Sequence, residues 1–219
     1  MSDIKDFCTF CDPNAEDKKK LYYKTKNFTV WLSVGQIVEG YSLIIPNDHY
    51  NCIGALPEEL QEEYLNLKSL IRKKITEVYG KCIFYEHGRA GYCHVQPGEE
   101  LCYHAHMHAL PVNADLKEKL VEDGLFPIKL QKPADIFSKY YELGQYLYYE
   151  DQYLYYEDTE GQGYLFQINR PIPRQYLRTL TAQAIGKPEL ADWHKYPELN
   201  KLWAGKKKLL RAVQGGENN

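Results

Sequence analysis

Three histidines, His104, His106 and His108, occupy alternate positions in the run CYHAHMHALP spanning residues 102–111. On an extended strand residues i, i+2 and i+4 project from one face, so this run predicts a row of imidazoles about 6–7 Å apart per step, with Ala105, Met107 and Ala109 turned to the core. Such a row can do one of three things. It can be three independently satisfied surface side chains. It can be a metal site, because neutral imidazoles ligate zinc and other transition metals, although three rings on a straight strand converge poorly on one ion. Or it can be nucleophilic: an imidazole attacks when one ring nitrogen is held unprotonated by a hydrogen bond at the other, and flanking rings can orient it and donate to a phosphate oxygen. A second pattern is Cys8-Thr9-Phe10-Cys11. This spacing is half of a structural zinc site and needs two further ligands; two unliganded thiols are the alternative.

Elements must hold these residues. Phe28 to Ser33 and Tyr41 to Pro46 read as two antiparallel strands joined through a glycine-bounded connection. From Pro57 to Val78 the apolar positions Leu60, Tyr64, Leu67, Ile71, Ile75 and Val78 recur every three or four residues, with Glu58 and Glu59 at the start and Gly80 past the end, which predicts a long helix. Lys81 to Glu86 reads as a third strand and Tyr103 to Val112 as a fourth, separated by a loop with glycines at 88, 91 and 98. Strands, one helix and strands again, without βαβ alternation, indicate an α+β fold with a mainly antiparallel sheet.

Beyond residue 113 we expect a C-terminal extension, 114–219, of a hairpin and helices packing on a domain formed by 1–113. Short helices are expected near 115–122 and 134–143. The heptad QYLYYED occurs twice in succession, at 145–151 and 152–158. Seven residues keep face on a helix and invert it on a strand. One copy, the second, is expected to pair with Tyr164 to Ile168 and the first to extend or loop out; a tyrosine-striped helix is the alternative. Residues 171–188 read as a helix with Pro173 near its first turn and Gly186 at its end. The segment from Asn200 to Val213 reads as a surface helix whose Lys206 to Lys208 run is a solvated face, and the last few residues are expected to be disordered.

Length and composition agree with this. The chain has 219 residues, 44% hydrophobic and 26% charged, enough for a normally packed core. A net charge of −3 offers no overall attraction for nucleic acid, which is not expected as a partner. No apolar run fits a signal peptide or a membrane span, so a soluble cytoplasmic protein with no membrane partner is expected. In that setting six cysteines read as thiols or metal ligands rather than disulfides. Tyrosine is abundant, 20 against 7 phenylalanines, so much of the aromatic mass carries hydroxyls.

His104-Ala105-His106-Met107-His108-Ala109-Leu110, together with the upstream run from Gly40 to His49, resembles the histidine-triad (HIT) family over roughly residues 7–113. The resemblance implies an α+β fold with a five-stranded antiparallel sheet, pairing into homodimers. It implies a nucleotidyl hydrolase or transferase acting on the α-phosphate of a nucleotide or nucleotide conjugate. His106 would be the nucleophile that forms a nucleotidyl-histidine, and His108 would contact the transferred phosphate. Members with a similar cysteine pair imply a structural zinc on Cys8, Cys11, His49 and His104, and no organic cofactor.

Several positions depart from the family pattern. Tyr41 stands where a supporting histidine is usual, Ser33 where an Asp or Asn contacts ribose, and Glu100-Leu101 where Gln-Ser or Gln-Thr assists the leaving group. A carboxylate beside phosphate is repulsive unless protonated or paired. Phe84 to Gly88 resembles a subgroup in which Glu86 and His87 begin a segment covering the nucleotide. The nucleotide-binding residues expected on these grounds are Ser33, Glu86, Arg89 as a phosphate clamp, and Glu100. His87, His94, Arg170, Arg174 and Arg178 are further candidates for substrate contact, with plain exposure as the alternative. The departures keep a second function open: a nucleotide-binding module, or a nucleic-acid-end binder, without turnover.

Overall fold

The computed structural model describes residues 8–88, 104–144, 152–168 and 170–215. The expectations for Arg89, His94, Glu100, the first heptad copy and the terminal tail lie outside the described residues. Eight strands form one antiparallel sheet: β1 (Leu21–Lys24), β2 (Phe28–Leu32), β3 (Ser42–Pro46), β4 (Ile83–Gly88), β5 (Met107–Leu110), β6 (Pro127–Lys129), β7 (Tyr153–Glu157) and β8 (Gly163–Gln167). Their order is β1-β2-β3-β5-β4-β7-β8-β6. The expected five strands are thus the first part of a larger sheet. Strand β7, from beyond residue 113, pairs with β4 from Phe84↔Glu157 to Gly88↔Tyr153, and β1 and β6 are the outer strands.

The second heptad copy is the strand expected. Tyr153 to Glu157 pairs with Gly163 to Gln167, and Gly161 in the connecting turn has φ 87°, a left-handed conformation open to glycine. The long helix, α2, runs from Glu58 to Tyr79; Glu58 and Glu59 sit in its first turn, and Gly80 closes it at φ 84° with its N–H on the Thr76 carbonyl. The other helices are α1 (Ala15–Lys18), α3 (Leu116–Glu122), α4 (Asp135–Gly144), α5 (Tyr176–Ala184) and α6 (Leu199–Gln214). Pro173 falls before α5 rather than in its first turn, because Gln175 takes a left-handed φ of 61° and the helix begins only after it. Helix α6 is the expected surface helix with one buried face: Lys207 and Lys208 are exposed, whereas Leu202, Gly205, Leu209 and Val213 are buried, in part against α2.

Strand parity divides the core in two. Val30, Ile44, Phe84, Met107 and Tyr155 face α2 and α6. Trp31, Leu43, Tyr85, Leu154 and Phe166 face the opposite side, covered by α3 and α5. Among the described residues no helix is long and apolar enough to cross a membrane.

Candidate functional site

The triad lies on the second of these faces, where β5 runs between β3 and β4. Strand β5 begins at Met107, so the expected strand from residue 103 is shorter at its start and only His108 of the three histidines is within it. The pairing Leu43↔His108 and Tyr85↔His108 fixes His108 in the middle of the sheet. The rings of His106 and His108 stand 4.7 Å apart at 68° to one another. The ring of His104 turns away, toward the N-terminal cysteines, with Phe10 packed against it and against His106 at 5.5 and 5.4 Å. The even row of three imidazoles is replaced by a pair plus one, because the chain bends before the strand starts.

Two hydrogen bonds set the chemistry of the pair. His106 Nδ1 lies 2.8 Å from the carbonyl oxygen of His104. A carbonyl can only accept, so the proton resides on Nδ1 and the Nε2 lone pair is bare. His108 Nδ1 lies 2.6 Å from the Tyr41 hydroxyl, itself 3.0 Å from the Tyr85 hydroxyl. The phenol at position 41 therefore takes a supporting place directly on the triad. Burial pushes both imidazoles below the usual histidine value: at His106 the bond to His104 opposes it, and at His108 the charges of His106 and Arg178 add to it. His87 follows Tyr85 on the same face of β4; its Nε2 is 3.3 Å from Gln152 Oε1, and burial lowers it to about 4. These rings are neutral at physiological pH, the state in which imidazole carries a nucleophilic lone pair.

A cavity of 420 Å³ opens over the pair, lined among others by Phe10, Trp31, Ser33, Tyr41, Arg178 and Trp193. Its far wall comes from the start of α5 and the turn at Trp193. Gly35 makes that wall possible: at φ 71°, an added Cβ would lie 2.3 Å from Trp193 Cβ and 2.7 Å from Arg178 Nη2.

Beside the cavity, Cys8, Cys11, His49 and His104 bring one ligand atom each to within 4.8 Å of one another. Cys11 Sγ is 3.2 Å from His49 Nδ1, and both Cys8 Sγ and Cys11 Sγ are 3.4 Å from His104 Nδ1. Tetrahedral zinc with Zn–S and Zn–N bonds of about 2.3 and 2.0 Å has S···N edges of about 3.5 Å, so the set fits such an ion. His104 Nε2 is 2.8 Å from the Pro46 carbonyl, the outer-shell bond that leaves Nδ1 to the ion. The four residues come from the N-terminal turn, the end of β3 and the approach to β5, and only the fold joins them.

The other expected residues divide. Ser33 lines the cavity, its hydroxyl donating to the Val34 carbonyl at 3.1 Å. Glu86 does not reach it: the strand extends to Gly88, so residue 86 shares the parity of Phe84 and points to the α2 side. There its carboxylate accepts from Ile53 N–H at 2.8 Å and bonds the Tyr153 hydroxyl at 2.5 Å. Arg170 bonds the Asp123 carbonyl, whereas Arg174 and Arg178 line the cavity. Arg178 is 3% exposed rather than solvated. Its spacing from Thr181 and Ala182, both on the buried face of α5, is the signal that could have placed it. Trp31 and Trp193 gave no such signal, because an aromatic residue in a strand or a turn reads first as core.

A protein-family model described as "Protein similar to CwfJ C-terminal" matches residues 2–122. No curated protein matches the chain. Among solved structures, a HIT family protein from Bacillus anthracis is 22% identical over 48% of this chain and 73% of its own, with a TM-score of 0.37. A zinc-bound histidine triad family protein from Mycobacterium smegmatis is 22% identical over 51% and 79%, with a TM-score of 0.38. The yeast Ap4A phosphorylase Apa2, in complex with AMP, is 11% identical over 84% and 78%, with a TM-score of 0.41. At these scores nothing about activity passes from them to this chain.

Proposed function

The chain belongs to the family of proteins similar to the CwfJ C-terminal, with a HIT-like α+β fold, and we propose that it is a nucleotidyl hydrolase or transferase working through a covalent intermediate on His106. The observation that carries this reading is the 2.8 Å bond from His106 Nδ1 to the His104 carbonyl, which leaves Nε2 bare on a ring lining the cavity. The Nε2 lone pair attacks the α-phosphorus of a nucleotide conjugate. The bond to the leaving oxygen or nitrogen breaks, its electron pair departs with the leaving group, and a nucleotidyl-histidine forms. Water or another acceptor then attacks the same phosphorus, giving its proton to solvent, and the P–N pair returns to Nε2. His108, held by Tyr41, contacts a non-bridging oxygen as negative charge builds up. Ser33, which lines the cavity, is assigned in this reading to the sugar.

We infer that zinc holds the second cluster through Cys8, Cys11, His49 and His104, where it supplies structural cross-linking. Fixing the ring of His104 also fixes its backbone carbonyl, and that carbonyl sets the tautomer of His106. The metal site thereby supports the nucleophile without touching the substrate.

The test is intact-mass analysis after brief exposure to dinucleoside polyphosphates and adenosine phosphoramidate, quenched at alkaline pH because the P–N bond is acid-labile. A nucleoside monophosphate adduct is expected in the native chain and none in His106→Ala. Tight nucleotide binding with neither adduct nor consumption of nucleotide would instead identify a binding module.

A further inference from the structure

One charge at the site has no part in this chemistry. Arg178 on α5 is 3% exposed and lines the cavity together with His106 and His108. Its Nε donates to the Ala191 carbonyl at 2.9 Å, and its Nη2 donates to the carbonyls of Gly35 and Leu190 at 2.5 and 2.7 Å. Three of the five N–H groups of a guanidinium are spent in this way. The remaining N–H groups are those of Nη1; the guanidinium also interacts with the Tyr41 hydroxyl, and no carboxylate among the described residues stands within ion-pair distance. Carbonyl oxygens satisfy hydrogens and supply no net charge, while a guanidinium does not shed its proton. A full positive charge is therefore buried at the wall of a cavity with no counter-ion among the described residues, an arrangement that is costly unless an anion is supplied.

The neighbourhood indicates where that anion goes. The guanidinium carbon is 5.7 Å from the ring of Tyr41, whose hydroxyl holds His108. Two other cations line the cavity: Lys20, paired with Asp17 at 2.6 Å, and Arg174, which also has a partner of its own. We propose that Arg178 is the anion-binding residue of this cavity and that its occupant is a phosphate group of the ligand, held through Nη1. The proposal rests on the nucleotide reading of the site and deepens it: ligands are selected by phosphate charge, with a fixed, carbonyl-clamped guanidinium as the selector.

Calorimetric titration of the full chain with AMP, adenosine and inorganic pyrophosphate at fixed ionic strength tests it. AMP is expected to bind at least about tenfold more tightly than adenosine, the size of a charge-assisted hydrogen bond, and pyrophosphate is expected to compete with AMP. Arg178→Met should abolish the preference, and Arg178→Lys should keep part of it. Because Arg178→Met also removes three carbonyl contacts and can unfold the wall, a second readout uses the native side chain: the Arg178 Nη signal in ¹⁵N NMR, identified by its absence in Arg178→Lys, should move with AMP and not with adenosine. Equal affinity for AMP and adenosine, a folded Arg178→Met that retains the preference, or an unmoved Nη signal at AMP saturation overturns the proposal. A nucleotide adduct on His106 without any Arg178-dependent preference removes this inference alone. A charge preference without an adduct removes the covalent reading alone.

Discussion

Replacing Tyr41 by phenylalanine removes one oxygen atom from the middle of the site and should have two separable effects. The hydroxyl bonds His108 Nδ1 at 2.6 Å and the Tyr85 hydroxyl at 3.0 Å, on a side chain that is 0% exposed. A buried polar group left without its partner costs about 1–3 kcal/mol. With two partners abandoned, and Tyr85 able to turn toward the helix α5 side, a loss of about 3 kcal/mol is expected. For a chain of this length that lowers Tm by about 6–12 °C. The second effect is kinetic: the ring of His108 is no longer fixed, and loss of one charge-assisted contact in the transition state, about 1.5–3 kcal/mol, slows adduct formation by about 10–100-fold. The assay pairs thermal unfolding with quench-flow mass spectrometry, and Tyr85→Phe serves as the control. That variant abandons only the outer bond, so it should cost about 1 kcal/mol and leave the rate within about threefold. A Tyr41→Phe protein with native Tm and native rate would refute the supporting role. Equal rate losses in the two variants would show that the whole phenol pair, rather than the bond to His108, matters.

Two further outcomes follow from groups around the site. Protein purified without chelator should contain about one zinc per chain, and Cys8→Ser should abolish it; a metal-free chain of full stability would sink the metal assignment. Glu86 supplies a pH dependence. Burial, opposed by its bonds to Tyr153 and Ile53, pushes its carboxyl up to about 7, above an unfolded value of about 4.3. The folded state therefore binds this proton more tightly, so its stabilising contribution is complete below the unfolded value and is lost as pH rises through about 7, on the order of 3 kcal/mol in all. Urea unfolding at pH 5 and pH 8 should show that loss in the native chain and a smaller one in Glu86→Gln; identical pH slopes in the two proteins would reject the assignment.

The parts of the site that could be read from the sequence are those governed by local periodicity. The helix from Glu58 to Tyr79 was fixed by its apolar spacing and its glycine stop. The second heptad copy was placed as a strand because a seven-residue shift inverts face on a strand. Glu86 was read as the last residue of a strand and, by family resemblance, as the start of a segment covering the nucleotide; in the structure the strand continues to Gly88 and the Glu86 carboxylate lies on the face opposite the cavity, bonded to Ile53 and Tyr153. The bend before Met107 was hidden for a related reason. Alternating histidines and apolar residues describe a regular strand, and only the pull of His104 toward Cys8 and Cys11 breaks it.

By itself, the sequence determined most of the element types and the residue chemistry available to a site: a row of alternating imidazoles and a cysteine pair of the kind that zinc takes. These follow from interactions between near neighbours in the chain. The tertiary structure decided which distant groups meet. It seated β7 on the edge of β4, brought His49 and His104 to the cysteines, placed the Tyr41 hydroxyl on His108, and buried Arg178 behind them. Strand pairing and helix docking are choices among many edges and faces of similar composition. They are settled by the collective packing of both sides of the sheet, and no local pattern in the chain records that outcome.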